Sequence, residues 1–125
     1  MDGLYKITGI VKHGQKRGKQ LGYPTMNIEC VHTIPEGIYI ASVIIDMVTY
    51  NAVTFIGTAK TFDEDNYQAE TFILEFDKDV YGKEIVITLL KKLRDNMKFD
   101  TEDLLREQMQ RDVEETKRYF AEHIN

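Results

Sequence analysis

The chain has 125 residues, 42% hydrophobic and 30% charged, with a net charge of −5; this describes one globular domain able to bury a core and excludes a disordered chain. Its single cysteine, Cys30, excludes an internal disulfide and fits a reducing compartment. No apolar run reaches membrane-spanning length and the start MDGLYKITGIV lacks a secretory pattern, so a soluble, cytoplasmic protein is expected.

Tyr5–Lys12 alternates, with Tyr5, Ile7, Gly9 and Val11 on one face, and predicts a first strand. Gly9 within it marks a bend or a close approach by another segment. His13–Ile28, HGQKRGKQLGYPTMNI, gathers Lys16, Arg17, Lys19 and His13 around Gly14, Gly18 and Gly22. Residues 1–24 carry five Lys/Arg against one acid, while residues 100–125 carry eight acids against four bases. A nucleic-acid binder is usually basic over a whole face, so this concentration favours a small anionic ligand. Thr25–Cys30 predicts a second extended piece. Thr25 and Asn27 are two apart, so on a strand their neutral oxygens point the same way. The run reads either as a phosphate-cradling loop followed by a hard-cation site, or as a solvated basic connection between strands.

IPEG, residues 34–37, is a turn. Ile38–Asp46 predicts a central strand and Asn51–Ala59 the next, with a polar loop over 60–67. Gln68–Phe76 alternates, placing Gln68, Glu70, Phe72, Leu74 and Phe76 on one face. Glu70 is therefore expected at the rim of the core or inside a pocket. A hairpin turn at 77–82 leads into a strand over Lys83–Leu93. Short strands separated by turns, with no helix between them, point to an antiparallel barrel or sandwich. From Thr101, Leu105, Met109, Val113, Phe120 and Ile124 form a helical stripe. Asp100 or Thr101 can cap that helix, and Glu102–Arg106, Glu107–Arg111 and Glu114–Arg118 have ion-pair spacing.

His13, His32 and His123 lack partners at zinc-ligand spacing. Neither a Walker A loop nor Gly-x-Gly-x-x-Gly is present. Cys30 has no obvious base and reads as a small core residue. Glu70 leads as a group for proton chemistry, against the alternative of a rim carboxylate held in an ion pair. A basic glycine loop, a neutral oxygen pair for Mg2+ and a sheltered carboxylate are the parts that phosphoryl transfer to an alcohol requires.

GIVKHGQKRGKQLGYPTMNI resembles the riboflavin kinase signature: Gly-x-Val-x-x-Gly, a glycine/arginine pair, then Leu-Gly-x-Pro-Thr-x-Asn. The resemblance continues through AETFILEFDKDVYG and KKLRDNMKFDTEDLLREQMQRDVEE, covering nearly the whole chain in order. It implies a mainly β, six-stranded antiparallel Greek-key barrel with one long C-terminal α-helix packed outside. It implies transfer of the γ-phosphate of ATP to the 5′-hydroxyl of riboflavin, giving FMN and ADP. By position, Thr25 and Asn27 are implied as ligands of Mg2+ (or of Zn2+ or Mn2+ in its place) and of the nucleotide. Gly14, Lys19, Ile73, Glu75 and Tyr81 are implied near ATP, and Glu70 as the catalytic base. Arg94, Met97 and Phe99 are implied on the flavin side.

Three departures from the family pattern stand out. Met26 occupies a position where a small residue is usual, with its side chain expected to face away from Thr25 and Asn27. GTAKTF, residues 57–62, lacks a proline common there. The chain begins just before the kinase signature, so a single kinase domain over 1–125 that does not make FAD is expected, either a stand-alone kinase or a domain excised from a bifunctional protein. The expected partners are riboflavin and ATP alone, with no nucleic acid or membrane, acting on a monomer. The alternatives are a non-catalytic flavin- or nucleotide-binding module on the same barrel and a single-strand nucleic-acid-binding barrel.

Overall fold

The computed structural model describes residues 3–12, 25–30, 33–58, 67–76 and 78–123. Its elements are β1 (Tyr5–Ile10), β2 (Met26–Glu29), β3 (Gly37–Ile45), β4 (Val48–Thr58), β5 (Tyr67–Ile73), β6 (Glu84–Arg94) and α1 (Glu102–Glu122). The six strands make one antiparallel sheet in the order β1-β6-β3-β4-β5-β2. Its two edges curl towards each other. The Lys12 N–H donates to the Asn27 carbonyl at 2.8 Å, which ties the end of β1 to β2. The result is a nearly closed Greek-key barrel with the helix outside, as the resemblance implies.

Gly9 makes the closure possible. A Cβ placed there would lie 2.5 Å from Cγ2 of Ile28 on β2. The glycine therefore serves a close approach between the two edge strands, one of the two roles expected of it.

Strand alternation fills the interior. Ile7, Ile28, Tyr39, Val43, Ile56, Ile73, Ile87 and Leu89 belong to one buried cluster. Two polar groups share that interior: Thr54 and Thr71 are opposite each other in register and hydrogen-bonded at 2.9 Å, so neither hydroxyl is left unsatisfied. Met26 also packs against the cluster, facing away from Asn27 as expected. Cys30 packs there too, and burial pushes its thiol up to about 11.

Two features depart from the sequence reading. β3 and β4 join through a tight hairpin at Asp46 and Met47, which have φ of 49° and 70°, so β4 begins at Val48 rather than Asn51. Neither residue is glycine, and no usual hairpin dipeptide marks the turn. The inner side of α1 is also more polar than its stripe suggests. Leu105, Met109, Val113 and Phe120 are half-buried, whereas the fully buried residues are Asp112 and Thr116. Thr101 caps the helix by accepting from the Leu104 N–H, and Arg106 pairs with Asp103 at 3.0 Å instead of with Glu102.

Asp112 is buried because it has a partner. The Arg94 guanidinium, at the end of β6, donates from Nε to Oδ1 at 3.0 Å and from Nη2 to Oδ2 at 2.8 Å. Gln108 Nε2 donates to the same Oδ1, and the Thr116 hydroxyl donates to the Asp112 carbonyl. This bidentate pair clamps α1 to the barrel and sets where the segment 95–101 leaves β6.

Candidate active site

The inner positions of β5 are Tyr67, Ala69, Thr71 and Ile73, all buried; Gln68, Glu70 and Phe72 alternate with them and are half-buried. Glu70 therefore stands on the outer wall of the barrel, not on the core-facing edge expected for it. The apolar neighbours that suggested a core face are themselves on that outer wall. Ile38 and Ile40 of β3 show the same property: they are buried yet lie outside the interior cluster.

Register then gives Glu70 its surroundings. Asn27 lies directly opposite it on β2, and Phe55 directly opposite on β4. Phe55 pairs in turn with Ile38, and Ile38 with Arg94. One row thus crosses the wall in the order Asn27, Glu70, Phe55, Ile38, Arg94. At a strand spacing of about 4.8 Å, Glu70 and Arg94 are about 14 Å apart along the row. Opposed side chains on such a pair have Cβ atoms about 5 Å apart, so Glu70 and Asn27 can act on one small group.

The Asn27 end of the row is polar and incompletely satisfied. Asn27 is 4% exposed. Its Nδ2 donates to Gln68 Oε1 at 2.5 Å. Its Oδ1 and the Oγ1 of Thr25 are both buried without a hydrogen-bond partner among the described residues. Buried oxygens without a donor are uncommon in folded proteins. Two of them, two residues apart, fit a hard cation that takes oxygen ligands. Among the described residues no group of three His, Cys, Asp or Glu gathers.

The remaining residues singled out in the sequence fall at the two ends of this wall. Lys12, beside Asn27, forms an ion pair with Glu29. Gly82 N–H donates to the Val11 carbonyl at 3.0 Å, which brings the turn carrying Tyr81 to the same end. Tyr81 itself is exposed. Gly14 and Lys19 lie outside the described residues, as does most of the 57–62 segment. Ile73 is 2% exposed inside the barrel, so its side chain does not reach the outer wall. Glu75, with φ of 55°, lines a groove with Leu74, Tyr50, Lys117 and Phe120. That groove lies between the end of β5 and the last turns of α1.

At the opposite end, the segment 95–101 folds over the β4 terminus. Asn96 Nδ2 contacts the Ile56 carbonyl at 3.4 Å. A Cβ on Gly57 would meet that same amide at 3.2 Å. Met97 is 55% exposed, and Phe99 has the Arg94 guanidinium 6.0 Å from its ring centroid. Arg94 is committed to Asp112 and to the Asp95 carbonyl, so it holds this segment as much as it faces a ligand. Lys92 pairs with Asp95 at 2.7 Å, which keeps the Asp95 carboxyl below its usual range. Sequence reasoning missed Gln68, Asn96 and Asp112. Each acts through a partner far away along the chain, and single-residue patterns do not show such pairings.

Comparison with known proteins agrees with the fold. The riboflavin kinase family, Flavokinase, matches residues 2–120. A bifunctional riboflavin kinase/FMN adenylyltransferase of Bacillus subtilis is 36% identical over 123 residues, covering 94% of this chain and 39% of that protein. A trifunctional RibF/MnmA protein of Mycoplasmoides gallisepticum is 35% identical over 93% of this chain and 18% of its own length. The chain thus spans less than half of these relatives. Among solved structures, one described as a macrolide-efflux protein from Streptococcus pneumoniae superposes with a TM-score of 0.80 at 35% identity, over 90% of this chain and 38% of that one. The riboflavin kinase of Trypanosoma brucei shares the fold, with a TM-score of 0.66 at 23% identity, over 97% of this chain and 84% of its own. These matches show that the chain belongs to the riboflavin kinase family.

Proposed function

We propose that this chain transfers the γ-phosphate of ATP to the 5′-hydroxyl of riboflavin, giving FMN and ADP. The observation that carries this reading is the pairing of Glu70 with Asn27 on the outer wall, beside two unsatisfied buried oxygens. Glu70 accepts the proton of the riboflavin hydroxyl as its oxygen bonds to the γ-phosphorus. The bond from that phosphorus to the bridging oxygen breaks, and ADP leaves. Thr25 and Asn27 hold Mg2+, with Zn2+ or Mn2+ as substitutes; when bound, it offsets charge on the phosphate oxygens.

In this reading ATP occupies the end of the wall near Lys12 and Tyr81, and Gly14 and Lys19 bind its phosphates. Riboflavin lies along the row from Glu70 towards Arg94, with Phe55 beneath it and Met97 and Phe99 of the 95–101 segment beside it. The apolar side chains suit a flavin ring, and the Asn96 contact supports that segment over them. Ile73 serves from the core and not by touching the nucleotide. A binding module without catalysis would have no use for a carboxylate opposite the cation ligands. We further propose a cytoplasmic monomer acting without nucleic acid. Concentration of positive charge in one short run supports small anionic substrates over a polymer.

The test is direct. Purified protein with ATP, Mg2+ and riboflavin is expected to yield FMN and ADP in equal amounts by chromatography. Riboflavin that binds and stays unphosphorylated would instead support the binding module.

A further inference from the structure

We infer that Gln68 is a positioning residue, which orients the Asn27 amide so that its oxygen, and not its nitrogen, faces the cation. The inference rests on the proposed cation site at Thr25 and Asn27 and adds to it what fixes the ligand. An Asn side chain presents one acceptor and one donor group, and rotation about its last bond exchanges them. Only the oxygen can bind a metal ion. Something must therefore hold the nitrogen on the other side.

Gln68 is placed to do so. Its Oε1 accepts from Asn27 Nδ2 at 2.5 Å, leaving Asn27 Oδ1 buried alongside Thr25 Oγ1, both without a partner among the described residues. Glu70 is directly opposite Asn27, and Gln68 is two residues before it on the same outer face of β5. One short strand segment thus supplies both the candidate base and the group that aims the cation ligand. With the acceptor removed, the buried Nδ2 has no partner and the amide can turn. A turned amide puts N–H groups where the cation needs an oxygen, and those N–H groups would satisfy nearby oxygens such as Thr25 Oγ1. Partners that orient metal ligands typically change metal affinity by about 10–100-fold when removed.

Two substitutions separate this from a purely structural role. Gln68→Met keeps the length and removes the acceptor; Gln68→Glu keeps an acceptor and has no donor. Mn2+ is the probe, titrated into the 125-residue chain and each variant with ADP bound and followed by electron paramagnetic resonance. Riboflavin binding by fluorescence quenching is measured in parallel. Gln68→Met is expected to weaken Mn2+ binding about tenfold, with riboflavin binding retained. Gln68→Glu is expected to bind Mn2+ at least as tightly as the unsubstituted protein. Unchanged Mn2+ binding in Gln68→Met, or equal weakening in both variants, overturns the role of Gln68. Thr25→Val reports on the site itself. If it weakens Mn2+ binding while Gln68→Met does not, only the Gln68 inference fails. If it leaves Mn2+ binding unchanged, the cation site and the inference fall together.

Discussion

Glu70 and Asn27 are 43 positions apart in sequence and directly opposite in register. For Glu70 the amide substitution is the informative one. Glu70→Gln keeps the shape and removes the proton acceptor, so turnover should fall about 10²–10⁴-fold while riboflavin binding persists. Thr25→Ala and Asn27→Ala should each raise the Mg2+ concentration needed for half-maximal rate about tenfold or more, read at fixed ATP. Cys30 gives a pH prediction. Burial raises its pKa from 9.0 to about 11, so the thiolate is scarcer at every pH below that value. Alkylation by iodoacetamide at pH 8 should be about a hundredfold slower than for a free thiol, and should rise as pH approaches 11. Alkylation at the free-thiol rate would place Cys30 outside the core. Thr25, Asn27 and Glu70 stood out as candidates from residue type and spacing, which left a solvated loop and a rim ion pair open until the family resemblance was added. The side of the barrel Glu70 faces was not legible: Phe72 beside it looks like core, and only the burial of Ala69, Thr71 and Ile73 shows which face is inside.

At the scale of elements, strand positions follow from alternation, and β1, β2, β5 and β6 lie close to their expected bounds. The Asp46–Met47 hairpin was not legible, because its left-handed backbone is imposed by the pairing of β3 with β4 rather than by glycine or asparagine. The helix shows the same limit. Its start at Thr101 is written in the capping residue, and Thr101→Ala should cost about 1 kcal/mol in urea denaturation. Its docking is written in Arg94 and Asp112, which carry no local signal. The Arg94 side chain is 18% exposed and that of Asp112 7%, so breaking the pair leaves a largely buried charge. Asp112→Ala should therefore destabilise by about 3 kcal/mol. Replacing both partners, as in Arg94→Met with Asp112→Leu, should recover much of that loss. An equal loss in the double variant would mean that something other than the ion pair holds α1 in place.

For the whole molecule, the proposed site lies on the outer surface of the barrel. Closure by Gly9 against Ile28 and by Lys12 against Asn27 joins the end of β1 to β2, while the pairing of β2 with β5 places Asn27, a proposed cation ligand, across from Glu70. The Arg94–Asp112 clamp and the Asn96 contact hold the 95–101 segment at the other end of the same wall. Strand order was implied by the family resemblance; alternation alone left barrel and sandwich open. The measurement that tests the central claim most directly is FMN formation from ATP and riboflavin by the unsubstituted protein and Glu70→Gln, with riboflavin affinity measured on both. The account predicts FMN from the first, riboflavin bound by both, and turnover in the variant lower by at least about 10²-fold. FMN formed at equal rates by the two proteins would contradict it.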